Sequence, residues 1–571
     1  MHTSPRIRIR RRGGRRWTLL ASLALATGAC SFAGNRGTPA DGSGGSAPGN
    51  GGRGAGGTPP RRGMGGAPGA DASAVPPLTD FPVDPVIDPS APAGAPGLFD
   101  GTPPRAGGAP CIVSPAAGTL MPRNWLRPRF DYTAAAGENL FEIDLSVSGF
   151  AHPLRIFTAR TSQALGADLW QQLRESVDDR TISVTVRALT LDATGGVALP
   201  PSAAATASFV IAPVDAPGKI VYWALGDDMG TKVGSLKGFG IGEESVQAVL
   251  LPSQVATKTS ADTCVGCHAA TPDGNSVGFS MGPQRYANAV GQIGAGAAPG
   301  TVPGYVTPTA LATMQSLHGI PAFSKAHWAD GDRIVLLSDT GALHWVQVDG
   351  AASGTLARTG DANLATEPTF SHDGASVVYV STRSIIDGRL DKGPADLYSI
   401  PYQGRAGGAA RPLGGGSDPG YTEYYPAFSP DDRFVAFTRI AGSGSAYSNS
   451  AAEVFVVPFG GGAGGAAVRL GANDAPACQA GAVSPGLTND WPKWSPHAVT
   501  AANGKTYYWL TFSSKRAGTD NAQLYITGMT VDAAGNVATY PALYLWNQPA
   551  ADGNHTPSWD DFTIPPIVVV P

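Results

Sequence analysis

Pro368-Thr369-Phe370-Ser371-His372-Asp373-Gly374, running into Val377-Val378-Tyr379-Val380, is the stretch whose reading decides the fold. Asp-Gly between two runs of β-branched and aromatic residues signals a hairpin, because glycine supplies the positive φ that a tight turn needs. The unit recurs. Pro426-Ala427-Phe428-Ser429-Pro430-Asp431-Asp432 leads into Phe434-Val435-Ala436-Phe437. Weaker copies stand at Pro321-Ala322-Phe323-Ser324 with Asp330-Gly331, at Pro492-Lys493-Trp494-Ser495-Pro496 and at Pro557-Ser558-Trp559-Asp560. Between copies lie further strand-like runs, such as Asp396-Leu397-Tyr398-Ser399-Ile400 and Glu453-Val454-Phe455-Val456-Val457. A spacing of about 47 to 66 residues with about four strands per unit is the period of a propeller blade. Residues 219–571 are therefore expected to form a β-propeller of six blades, seven being the alternative, with the Trp559 strand closing the first blade.

These repeats resemble the TolB-like (PD40, WD40-like) repeats of bacterial exported proteins. Phe512-Ser513-Ser514-Lys515-Arg516 before Gln523-Leu524-Tyr525 carries the likeness further.

One blade contains Cys264-Val265-Gly266-Cys267-His268. C-x-x-C-H is the attachment pattern of a c-type haem: two thiols form thioethers to the porphyrin vinyls while the adjacent imidazole reaches the iron. C-x-x-C also serves redox disulfides and zinc sites. A zinc site would want a second ligand pair, which the sequence lacks, and a thioredoxin-like motif would sit in a βαβ unit. Aligning Thr271-Pro272-Asp273-Gly274 with Ser429-Pro430-Asp431-Asp432 places Cys267 opposite Tyr425 and His268 opposite Pro426. The motif is thus built into a repeat, its strand continuing through Val277 and Phe279. One covalent haem c at Cys264 and Cys267, with His268 as proximal iron ligand, is expected at a mouth of the central channel.

This layout resembles a group of bacterial exported proteins, often lipoproteins, in which a TolB-like propeller carries one C-x-x-C-H-x-x-x-x-D-G segment, here Cys264 to Gly274. The resemblance implies haem binding and electron transfer. Candidates for the sixth iron position are His318 first, then Met281 and His555, with Met314 a further thioether; the ligand chosen sets the redox chemistry. Glu367, Glu423 and Asp490 are expected around the same polar, hydrated mouth, and His372 in a solvated turn.

The N-terminus places the chain. Arg6 to Arg16 are strongly basic and Trp17 to Ala29 apolar, the signature of an export signal over residues 1–29. Thr27-Gly28-Ala29-Cys30 resembles the lipobox of bacterial lipoproteins, which implies a lipid on Cys30, although Thr27 stands where that pattern usually has Leu. Residues 30–110, rich in Gly, Pro, Ala and Ser, read as a disordered tether. From 111 to 213 about seven short alternating segments, among them Phe141 to Val147 and Ile182 to Ala188, suit a β-sandwich. That domain resembles a fibronectin type III or immunoglobulin-like module, with a helical turn or two at Ala167 to Glu175. The fold class is all-β: an N-terminal β-sandwich followed by the propeller. Of the 5 cysteines, Cys30 is assigned to lipid and Cys264 and Cys267 to haem, and Cys111 with Cys478 is a candidate disulfide whose pairing the sequence does not decide.

A net charge of −4 gives no electrostatic reason to expect nucleic acid, membrane contact is expected through the lipid alone, and no hydrolase signature is present. The leading expectation is a mono-haem electron-transfer protein of the bacterial cell envelope, on the outer membrane, the cell surface or in the periplasm. Its redox or envelope partner is not specified by the sequence. The alternative is a non-enzymatic propeller that docks another envelope protein or a polysaccharide, with Cys264 and Cys267 in a disulfide. A haem enzyme such as a peroxidase ranks third, since no distal Arg and His pair can be named.

Overall fold

A computed structural model describes residues 76–228, 231–255, 264–281, 287–294, 296, 298–386, 388–518 and 520–565. The expected export signal, Cys30 and the tether up to residue 75 lie outside the described residues.

The N-terminal domain is a β-sandwich. Strands Cys111–Ser114, Arg129–Thr133 and Ser162–Ala164 form one sheet, and Leu154–Thr158, Leu140–Val147, Thr181–Leu191 and Ala205–Ile211 follow one another across the other. Strand periodicity decides which residues turn inward: Ile182, Val184 and Val186 are buried while Thr181 and Ser183 face out. The helix Ala167–Ser176 adds Trp170 and Leu173 to the core.

The tether reading of residues 30–110 is corrected from residue 76 onward. Val86–Ile87 pairs in parallel with Ile156 and Phe157 on the sheet edge, and Phe81, Ala95 and Phe99 are buried. These apolar residues are too sparse to form a periodic pattern of their own. They are ordered by docking on a sheet that the following hundred residues build.

Among the described residues beyond 219, six principal sheets radiate from one channel. The innermost strands are Gly553–Asp560, Val265–Ala270, Ala322–Phe323, Leu364–Phe370, Tyr421–Phe428 and Asp490–Trp494, numbered here blades 1 to 6. Each packs against the next, and blade 6 packs against blade 1, so the ring is closed. Blade 1 is shared between the two ends of the propeller: Gly553–Asp560 pairs antiparallel with Lys219–Asp228, Trp559 opposite Ile220.

Sandwich and propeller share one hydrophobic core. Leu120, Trp125 and Phe209 of the sandwich belong to the same buried cluster as Tyr222 and Phe239 of blade 1 and Trp509 and Ile526 of blade 6. A bidentate Arg127–Glu244 pair (2.5 and 2.6 Å), a hydrogen bond from Trp546 Nε1 to the Arg127 carbonyl (3.1 Å) and a Cys111–Cys478 disulfide span the same junction. The sandwich is an integral buttress of two blades.

Candidate functional site at the propeller channel

Five innermost strands carry the same defect. The ladder slips around Cys267-His268, Glu367-Pro368, Tyr425-Pro426, Trp491-Pro492 and Thr556-Pro557, so each pair forms a β-bulge. The first residue of each pair lies in the left-handed region, with φ of 44°, 52°, 55°, 60° and 46° in that order. Non-glycine residues seldom adopt this conformation, and a bulge re-aims side chains. Here it gathers them into a plug. The Tyr425 amide donates to Glu367 Oε2 (3.0 Å), Tyr425 and Trp491 have ring centroids 4.1 Å apart, and Cys267 lies in one buried cluster with Ile320, Tyr425 and Trp491. Cavities flank the plug. His268, Lys493 and Ser558 line one of about 150 Å³; Trp491, His555 and Thr556 line the other, of about 130 Å³.

His268 occupies the position where the other blades have proline, and that substitution adds chemistry. The residue is only 3% exposed. Nε2 donates to the Val221 carbonyl of blade 1 at 3.0 Å, leaving the Nδ1 lone pair buried without a partner. Burial lowers the imidazole pKa to about 4, so the ring is neutral.

The thiols face different surroundings. Cys264, 1% exposed, packs with Trp223, Leu236 and Met281 between blades 1 and 2. Gly234 makes this possible, since a Cβ there would stand 2.7 Å from Cys264 Sγ and 2.5 Å from Trp223 Nε1. Cys267, equally buried, sits in the plug. Both are thiols, so the Cys264–Cys267 disulfide of the alternative reading is not formed. The intervening bulge turns them into separate cores.

The expected sixth ligands do not converge on His268. His318 Nδ1 lies 2.8 Å from Asp339 Oδ1. Met281 pairs in register with Val265 inside the core of Cys264, and Met314 is buried on the helix Pro308–Ser316. His555 lines the opposite cavity, with Nε2 2.9 Å from the Tyr447 hydroxyl. It stands two residues before its blade's bulge proline, on the far side of the plug. Among the described residues no three His, Cys, Asp or Glu side chains form a metal-binding group.

The donor set suits a c-type haem: two thiols and a neutral imidazole with an unused lone pair. The space does not match in this arrangement. The cavity beside His268, about 150 Å³, is below the roughly 300–1,000 Å³ of ordinary ligand pockets, and the thiols are enclosed by close-packed side chains. Residues 256–263 and 282–286, which flank the motif strand and its neighbour in sequence, lie outside the described residues.

Other polar residues are placed differently from the sequence expectation. Glu367, Glu423 and Asp490 are buried rather than arrayed around a hydrated mouth. Burial raises the pKa of each to about 7. Glu423 is paired with Arg439 within blade 5, and Asp490 accepts from Thr438. His372 is not merely solvated: Nδ1 lies 3.0 Å from Asp432 Oδ1, tying the turn of blade 4 to that of blade 5. Sequence reasoning passed over Lys493, which enters the first cavity without a hydrogen bond or ion pair among the described residues. Burial lowers its pKa to about 8. Its signal was available, as the first residue after a bulge proline.

No family model matches the sequence, and no curated protein matches it. The solved structures it resembles include TolB from Acinetobacter baumannii, at 14% identity and a TM-score of 0.37 over 66% of this chain and 79% of that one. Kuenenia stuttgartiensis hydrazine synthase (12%, 0.28, 51% and 69%) and oligogalacturonate lyase in complex with manganese (10%, 0.27, 53% and 70%) also match. Among the described residues the chain is all-β, a β-sandwich followed by a β-propeller.

Proposed function

We propose that the chain is an exported envelope propeller that binds one haem c through Cys264 and Cys267 and serves in electron transfer. The observation that carries the reading is the neutral, buried imidazole of His268, its Nδ1 unpartnered, directly after two cysteines held as thiols. Bound there, the haem would supply one-electron redox chemistry, with His268 the residue to hold its iron. The protein's own part is burial, which keeps the imidazole neutral, and a ring of blades that fixes the motif strand. The basic and apolar segments before Cys30 support export to the bacterial envelope, with a lipid on Cys30 as the anchor. The cysteine pair Cys111–Cys478 suits an oxidising compartment. A redox or envelope protein is the expected partner.

A second reading, a binding propeller without haem, is favoured by the close packing around both thiols and the absence of a porphyrin-sized space beside His268. One experiment separates them. The full chain is produced in a bacterium able to mature c-type cytochromes, and its intact mass, haem stain after denaturation and reduced-minus-oxidised spectrum are recorded. A mass increased by one haem, with stain retained, supports the first reading. An unmodified mass with two alkylatable thiols leaves the second.

A further inference from the structure

Each blade sends one equivalent side chain into the cavity beside His268, the residue that follows the bulge pair or, in blade 3, Pro321. These are Ala269, Ala322, Thr369, Ala427, Lys493 and Ser558. Five are small and one is a lysine. Lys493 is half-buried, and neither its ammonium nor the hydroxyls of Thr369 and Ser558 have a partner among the described residues. Unlike Nδ1 of His268, these three groups are not sealed off: each keeps accessible surface on a residue that lines the cavity. The other charges in the lining are matched. Lys325 Nζ lies 2.8 Å from Asp560 Oδ1, and His372 is held by Asp432 of the next turn. Glu367, buried in the plug, takes the Leu390 and Tyr425 amides at 3.0 Å each and makes no ion pair with Lys493. One positive charge is left over.

That surplus discriminates between ligand classes. A neutral molecule would leave Lys493 without a counter-charge, and a cation would be repelled by it. A phosphate, at about −1.5 to −2 near neutral pH, would bring more charge than Lys493 can match, with Asp560 in the same lining. A monocarboxylate balances it, since its two oxygens offer about four lone-pair sites to one ammonium and two hydroxyls. The polar groups stand on blades 4, 6 and 1, whereas Ala269, Ile320, Ala322 and Phe323 of blades 2 and 3 give an apolar side for a short alkyl tail. Size sets the limit. Drug-sized ligands need roughly 300–1,000 Å³. The cavity of about 150 Å³ has room for roughly five waters at about 30 Å³ each, the scale of an acid of about four or five non-hydrogen atoms. We propose that this mouth of the channel binds a small monocarboxylate of the size of acetate or propionate, with Lys493 as its counter-ion and the Thr369 and Ser558 hydroxyls as donors. The proposal does not draw on the haem reading.

The test uses the full chain produced in a bacterium without cytochrome c maturation, so that the haem question does not enter. Acetate and propionate are titrated and followed by saturation-transfer NMR of their methyl groups, with acetamide as neutral probe, methylammonium as cation and phosphate as competitor. The expected result is saturable binding of at least one acid, none of acetamide or methylammonium, and weaker displacement by phosphate than by the second acid. Lys493→Met, which removes the charge at similar volume, should weaken binding roughly tenfold or more, and Thr369→Val and Ser558→Ala roughly two- to tenfold each. Circular dichroism and melting verify the fold of each variant. Lys515→Met, in the lining of the opposite cavity, should leave affinity unchanged. Binding of neither acid, equal binding of acetamide, displacement by phosphate as strong as by an acid, or loss of binding in Lys515→Met would each overturn the proposal. So would unchanged affinity in a folded Lys493→Met variant or in both folded hydroxyl variants.

Discussion

The imidazole of His268 reaches the carbonyl of Val221 across 3.0 Å, so a side chain of blade 2 is fastened to the second strand of blade 1. The other blades put proline at this point and make no such link through it.

Replacing His268 by Ala should therefore strand a buried carbonyl and cost about 1–3 kcal/mol. His268→Gln, which retains a donor, should lose less. Thermal unfolding of the two variants checks the link. Equal stability of Ala and Gln variants would remove the hydrogen bond from the account.

Gly234→Ala should disturb the motif strand from the neighbouring blade. Its new methyl would press on Cys264 Sγ and Trp223 Nε1, both enclosed, and overpacking of this kind costs about 1–3 kcal/mol. A lowered melting temperature together with faster alkylation of Cys264 is the expected outcome. A variant as stable and as unreactive as the parent would show that the contact has slack.

The channel groups give opposing pH dependences. The folded pKa values of His268 and His555, about 4 and about 3, lie below the roughly 6.5 of an unfolded histidine. Below that value the unfolded chain takes up protons that the native state refuses, so stability is full above about pH 6.5 and falls as the solution is acidified. Burial raises Glu367 to about 7, so its contribution is present below about pH 4 and lost as pH rises through 7. Glu367→Gln should accordingly gain on the parent between pH 5 and 8. Urea unfolding at each pH measures the difference, and a constant gap would contradict a protonated native Glu367.

Removing the junction disulfide with Cys111→Ser and Cys478→Ser should lower stability by about 2–5 kcal/mol, yet leave the sandwich docked, because the two domains share one core. Calorimetry should then show a single transition at a lower temperature. A separate early transition would mean that the disulfide, and not the core, holds the domains together.

The propeller was legible because each blade repeats a local instruction. Proline, an aromatic residue, serine and a hairpin turn recur often enough to count six blades, and Trp559 was recognisable as the closing strand. The sandwich declared itself through alternation such as Ile182, Val184 and Val186. Segment 76–110 was misread because Phe81, Val86 and Phe99 acquire meaning only against a surface built elsewhere in the chain. Within the site, the equivalence of His268 with the bulge prolines could be read by alignment. Which cavity each side chain enters could not: a left-handed residue redirects its neighbours, and that turn is set by six strands meeting around an axis. His318 and His555 therefore looked like companions of His268, but one is engaged by Asp339 and the other lies beyond the plug.

The strand that completes blade 1 also sets a schedule. The ring closes only when Gly553–Asp560 joins Lys219–Asp228, and until then the earlier strand is an open template at a sheet edge. In a chain crossing a membrane from its N-terminus, Cys264 and Cys267 emerge well before their ring can shut. Once it has shut, each is 1% exposed. A reagent that reaches those sulfurs only from solvent would have to arrive within that interval, so the last strand of the propeller sets the deadline for access to its second blade.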